Sequence, residues 1–162
     1  MGRLSFAALL GGLALLLASM AASGQNPAAS QPQAYRPGVG DLMTMTVQPR
    51  HIRLLLAGHE QNWVYAAYEL HELQEAFDRV VQVWPRYKGL PLGGMVDAIA
   101  QGPMTELAKA IQAKDEVAFD AAYEKLTEGC NACHQAANVG HVVIKVPNGS
   151  TFPDQDFRPQ QP

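Results

Sequence analysis

Residues 63–84 read WVYAAYELHELQEAFDRVVQVW. Trp63, Ala66, Ala67, Leu70, Leu73, Phe77, Val80, Val81 and Trp84 recur at steps of three and four. That spacing lays one apolar stripe along a helix. Glu69, Glu72, Glu75, Asp78 and Arg79 fall mostly on its other faces. Pro85 disfavours helical geometry at the residue before it, so the helix stops at Trp84. The same period extends in both directions. Leu42, Met45, Ile52, Leu55 and Leu56 mark an earlier helix over roughly 41–57, with Pro49 predicting a kink or a broken turn and Gly58 closing it.

Arg86–Gly94 carries three glycines and Pro91 and reads as a loop. Met95, Val96 and Ile99 then begin a helical segment over 94–113, interrupted at Gly102, with Pro103 opening its second part. Asp115 is the expected N-cap of a last helix over 115–138, whose stripe runs Phe119, Ala122, Tyr123, Leu126, Cys130, Cys133 and Ala137. Four helices on short loops predict an all-α fold, an antiparallel four-helix bundle spanning 39–138. After Gly140 the β-branched run 141–146 stops at Pro147 and the rest is polar and proline-rich. Residues 139–162 therefore read as an extended C-terminal tail lying on the bundle, with Phe152 and Phe157 as its anchors.

The chain has 162 residues, which suits one domain with its own core. Twelve basic against fifteen acidic residues argue against a nucleic-acid partner. Residues 1–24 place Arg3 before a 15-residue apolar run, Leu4–Ala18, and then small residues. This is the order of a secretory signal peptide, and the run is shorter than the ~20 residues a membrane span needs. Cleavage after Ala21, Ala22 or Gly24 leaves 11 basic and 15 acidic residues in an exported, periplasmic chain with no membrane span. Residues 25–38, with three prolines and three glutamines, read as a flexible lead-in.

Cys130-Asn131-Ala132-Cys133-His134 is C-x-x-C-H, the attachment pattern for one covalent haem c. Two thiols three residues apart share one side of a helix and can reach the two vinyl groups of one porphyrin. The adjoining His134 can offer its imidazole to the iron as proximal ligand. A thioredoxin-like C-x-x-C opens a helix after a strand, whereas this one sits late in a helical pattern. A zinc site needs two more ligands at suitable spacing, and a disulfide fits three-residue helical spacing poorly.

With these residues in view, the chain resembles the class II c-type cytochromes, the cytochrome c′ group. The likeness in architecture covers about residues 40–138, and Cys130, Cys133 and His134 match residue by residue. It implies a haem at one end of the bundle with His134 on the iron. The other iron face is open or apolar in gas-binding members and ligated in electron-transferring ones. Gln135-Ala136 after the motif and the 24-residue tail depart from the group's usual pattern.

The end of the last helix should lie beside the start of the first, putting Met43 and Met45 at haem height. Met45 shares the apolar stripe and is the first candidate for a distal thioether ligand. His51 sits about 9 Å deeper at 1.5 Å per residue and reaches the site only if Pro49 reshapes the helix or the haem lies along the bundle axis. His59 and His71 read as surface groups and Met95 as pocket wall. His141 could double back to the haem edge. Phe77, Val81, Trp84 and Ile99 are expected walls, and Arg79, Arg86 and Lys88 are candidates near the propionates. The expectation is a single-electron carrier serving redox partner proteins. The alternative is a five-coordinate binder of small gas ligands (NO or CO). No distal acid–base residue is placed to suggest an enzyme with peroxidase-like activity. The apolar stripes leave room for a homodimer.

Overall fold

The computed structural model describes residues 35–160. The signal-peptide reading and most of the lead-in lie outside the described residues. Among those described, the chain is mostly helical. Val39–Leu42 (α1), a π-helical turn at Met43–Val47 and Gln48–His59 (α2) follow one another without leaving right-handed helical geometry. Then come Trp63–Val83 (α3), Leu92–Ala113 (α4) and Glu116–Ala136 (α5). α2 packs on α3, α3 on α4, α4 on α5, and α5 back on α2.

Four members of the α3 stripe, Ala66, Leu73, Phe77 and Val80, are buried, Trp63, Leu70, Val81 and Trp84 are half-buried, and Ala67 is exposed. Leu73, Ala76, Phe77 and Val80 meet Leu54 and Leu55 of α2, Leu107 of α4, and Phe119, Tyr123 and Leu126 of α5 in one core. A large apolar side chain taken fully out of water contributes roughly 1.5–3 kcal/mol. Packing of this face, more than helix propensity, therefore holds the element. The starts of α3 and α5 are capped by side chains. Asn62 accepts from the Tyr65 backbone N–H at 3.2 Å, and Asp115 accepts from Ala118 at 3.0 Å.

Three helix ends share one device. After α5, the Asn138 N–H donates to the Gln135 carbonyl and the Val139 N–H to the His134 carbonyl, with Asn138 at φ 55°. This is a Schellman motif with a non-glycine residue in the left-handed position. Gln61 ends α2 and Lys114 ends α4 in the same way. Gly58, expected to close its helix, is instead buried inside α2.

Two other expectations change. The Arg86–Gly94 loop contains a hairpin, Arg86–Tyr87 paired antiparallel with Leu90–Pro91. Its turn residues Lys88 and Gly89 both have positive φ, at 48° and 84°, as a type I′ turn requires. Pro103 lies inside α4 and does not start a new helix. A proline there removes the hydrogen bond to the carbonyl four residues earlier, which is that of Ile99. That carbonyl faces α5 at Gly129, where a side-chain carbon would lie only 2.7 Å from its oxygen.

Glu69, assigned by its period to the polar faces, is only 1% exposed. Arg50 of α2 holds it at 3.2 Å and reaches Glu72 at 3.0 Å. Tyr35–Gly38, the described end of the lead-in, is not free either. The Trp84 indole N–H donates to the Pro37 carbonyl at 2.8 Å, and the Arg36 guanidinium lies 3.6 Å over the same ring.

The C-terminal tail returns over the helices. Phe157 is buried in the core, stacked on Tyr65 at 5.8 Å, and Phe152 packs against the core under the Arg53 guanidinium at 4.3 Å. Asn62 donates to the carbonyls of Phe157 and Arg158 at 3.1 and 3.2 Å. The expected anchors are in use, and the tail runs from the end of α5 to the α2–α3 connection. No helix among the described residues is long and apolar enough to cross a membrane.

Candidate cofactor site

A cavity of about 250 Å³ opens where the last turns of α5 meet the first long helix and the start of the tail. From α5 it is lined by Cys130, Cys133 and His134. Val39, Met43, Val47 and His51 line it from the first helical stretch, Phe77 from α3, Val96 and Ile99 from α4, and Val142 and Ile144 from the tail. The lining is mostly apolar, so polar or charged groups inside it interact in low dielectric.

Cys130 and Cys133 are free thiols and half-buried. Burial, with the neighbouring Cys133 second, pushes the Cys130 thiol up to about 11. Burial also raises Cys133. Both are neutral thiols at physiological pH. This is the opposite of a nucleophilic C-x-x-C pair, whose thiolate is stabilised at a helix N-terminus. Among the described residues no three His, Cys, Asp or Glu side chains gather around a point that could hold a metal ion alone.

His134 is half-buried, and its Nδ1 lies 2.7 Å from the Val142 carbonyl oxygen. A carbonyl can only accept, so Nδ1 carries the proton. In the neutral imidazole Nε2 then keeps its lone pair, which is the state an imidazole needs to ligate a metal.

His51 was expected too deep unless Pro49 reshaped its helix. It does line the cavity, and a π turn ends two residues before that proline. The Gln48 N–H reaches back five residues to the Met43 carbonyl. This wider turn keeps residues four apart (39, 43, 47 and 51) on one face. The same geometry separates the two methionines. Met43 lines the cavity, whereas Met45 is 74% exposed and does not. A plain α-helical stripe put Met45 inward, and the underwound turn rotates it out.

His51 is buried among partners. Its Nε2 lies 3.0 Å from Thr127 Oγ1 and its Nδ1 2.9 Å from the Tyr123 hydroxyl. The Tyr123 hydroxyl also donates to the His51 backbone carbonyl at 2.7 Å, and Thr127 Oγ1 lies 3.0 Å from the Tyr123 carbonyl. Burial lowers the imidazole to about 4 and raises the Tyr123 phenol far above its ordinary value. Both ring nitrogens of His51 are already occupied, so it forms a neutral floor of the cavity.

Of the expected walls, Phe77 and Ile99 line the cavity, while Val81 and Trp84 pack against the core outside it. Met95 also packs beside the core and not in the cavity. Lys88 reaches the end of α5, 3.4 Å from the Ala137 carbonyl, but Arg79 pairs with Glu75 and Arg86 bonds the Gly89 carbonyl of its own hairpin. His59 pairs with Asp120 and His71 with Glu75 at the surface, and His141 is exposed. Asn131, inside the motif, was not singled out by its sequence context. Its amide exchanges two hydrogen bonds with the Ile144 backbone, N–H to Oδ1 at 2.8 Å and Nδ2 to the carbonyl at 2.9 Å.

The chain matches no family model, no curated protein and no solved structure.

Proposed function

We propose that the chain is an exported, periplasmic monohaem c-type cytochrome, its helices forming an antiparallel four-helix bundle, that passes single electrons between redox partner proteins. The observation that carries this reading is the state of His134. Its Nδ1–H is committed to a carbonyl and its Nε2 is bare, beside two neutral thiols and an apolar cavity. That donor set fits a haem, which brings its own four nitrogens and asks the protein for an axial base. It fits a zinc ion poorly, since zinc needs three or four protein donors together.

When bound, the haem supplies reversible one-electron chemistry between ferric and ferrous iron. The chain's residues supply the rest. Cys130 and Cys133 would hold the group by thioether bonds, so that it would not be lost outside the cell. His134 offers Nε2. Phe77, Val96 and Ile99 exclude water, and His51 stays neutral. Met43, which lines the cavity, is the methionine that could serve as a thioether ligand in place of Met45.

The cavity is smaller than the roughly 300–1,000 Å³ of pockets that enclose drug-sized ligands, and a porphyrin is large among these. A haem would need more room than this cavity gives, and the spectra described below decide between an exposed edge suited to electron exchange and a sealed gas pocket.

Replacing Cys130 and Cys133 together with Ala tests the cofactor. Haem staining of the exported protein on a denaturing gel should vanish, and retained staining would overturn the reading. Absorption spectra with and without carbon monoxide separate the two functions. A low-spin reduced spectrum indifferent to carbon monoxide supports electron transfer. A high-spin spectrum that shifts with it favours the five-coordinate gas binder, with Met43 then an apolar lid.

A further inference from the structure

The C-terminal tail has two jobs that its sequence separates. Phe152 and Phe157 bind it to the core, whereas residues 139–146 touch the motif itself. This first part is turned back by the Schellman motif at Asn138, so that Ile144 lies beside Asn131 and Val142 beside His134. The strap thus runs antiparallel to the last turns of α5. Asn131 and His134 are three residues apart and share a helix face. Asn131 grips Ile144 through both its N–H and its carbonyl, and also donates to the Thr127 carbonyl at 3.2 Å.

From this register we infer that Asn131 and the strap form a positioning device for His134: the asparagine locks residue 144, which fixes the Val142 carbonyl where it takes the Nδ1 proton. Asn131 makes no hydrogen bond to the imidazole and does not line the cavity, so it acts through the strap. The bond it secures does two things. It holds the imidazole in the tautomer with Nε2 free, and it makes Nε2 a stronger base toward a metal. A stronger base favours the more highly charged ferric state and so lowers the reduction potential. The second effect rests on the haem reading proposed above. The first is a property of the chain.

The test uses the full-length protein as purified, with Asn131→Ala and with Ile144→Pro, which removes the strap's N–H and leaves α5 untouched. Three readouts are taken: haem content, reduction potential, and the protonation of the His134 nitrogens by ¹⁵N NMR. With haem attached, either variant should keep its haem, shift the potential upward, and speed exchange of the His134 Nδ1 proton with water at least tenfold. Unchanged potential and unchanged exchange in haem-loaded variants would overturn the inference and leave the cytochrome reading intact. If the wild-type chain carries no haem, the cytochrome reading fails and the tautomer decides alone. Nδ1–H in the wild type giving way to Nε2–H in the variants supports the device, and an unaltered tautomer refutes it. Should Asn131→Ala not fold, Ile144→Pro carries the same outcomes.

Discussion

Gly129 stands one residue before the first thiol, and the most demanding prediction concerns its replacement by Ala. A methyl group there would lie 2.7 Å from the Ile99 carbonyl oxygen, 3.4 Å from its carbonyl carbon and 3.5 Å from its Cβ. The obstacle is backbone and cannot rotate away, so α4 and α5 must part. Overpacking of this kind costs about 1–3 kcal/mol, and a backbone contact belongs at the upper end. Alanine returns up to about 1 kcal/mol of helix propensity over glycine. The balance is a loss of about 2 kcal/mol, or a fall in Tm of roughly 8 °C for a domain of this size. Gly94, exposed in the first turn of α4 with nothing within 4 Å, is the internal control. Gly94→Ala should raise stability by about 0.5 kcal/mol. Both are read by urea unfolding of the full chain. If Gly129→Ala proves as stable as the wild type, α5 does not approach the Ile99 carbonyl as described.

The remaining predictions concern the buried polar groups and the tail. His51 is held near a pKa of about 4 when folded and returns to about 6.5 when unfolded. Between those values the unfolded chain binds the extra proton, so stability should fall as pH drops from 6.5 to 4, by roughly 3 kcal/mol, and level off below. His51→Gln should flatten that part of the urea-midpoint profile, and an unchanged slope would refute the assignment. Arg50→Ala strands the buried Glu69 carboxylate and should cost about 3 kcal/mol, while Glu69→Gln, which leaves Arg50 paired with Glu72, should cost less than half of that. The reverse order in chemical denaturation would contradict the pairing. Phe157→Ala should release the tail at a cost of about 3 kcal/mol. Limited proteolysis would then cut within residues 147–160 while the helices stay intact, and unchanged resistance would show that Phe157 is not the anchor.

What the sequence made readable is what repeats locally. The α3 stripe, the Asp115 cap, the tail anchors and the C-x-x-C-H motif all declare themselves within a few turns of chain. The departures have nonlocal causes. Glu69 has the period of a surface residue, and only Arg50, nineteen positions away, makes its burial tolerable. The ends of α2 and α5 fall two residues from their expected places, where Gln61 and Asn138 take a left-handed conformation usually given to glycine, whereas α4 ends at Ala113 as expected. Pro103 continues a helix it would be expected to start, because the carbonyl it leaves unbonded faces a residue with no side chain. Met45 was preferred over Met43 on a regular α-helical period, and one π turn reversed their orientation. Asn131 gave no signal because its partner is the backbone of a segment thirteen residues on.

These departures converge on α5. Tyr123, Thr127, Asn131 and His134 step along it at intervals of four, four and three, as a polar row beside the apolar one that carries Leu126, Cys130 and Cys133. Each member of the row has a partner on another element. Tyr123 and Thr127 bond His51 on the first long helix, while Asn131 and His134 bond the returning tail. Among the described residues, no buried side-chain nitrogen or oxygen lacks a hydrogen-bond partner. The cavity is therefore bounded by groups whose hydrogen bonds are already made, and a change of charge at its centre would find few free dipoles to reorient. His134 Nε2, by contrast, makes no hydrogen bond, so in the neutral imidazole its lone pair stays available at the cavity, as the ligand role proposed above requires.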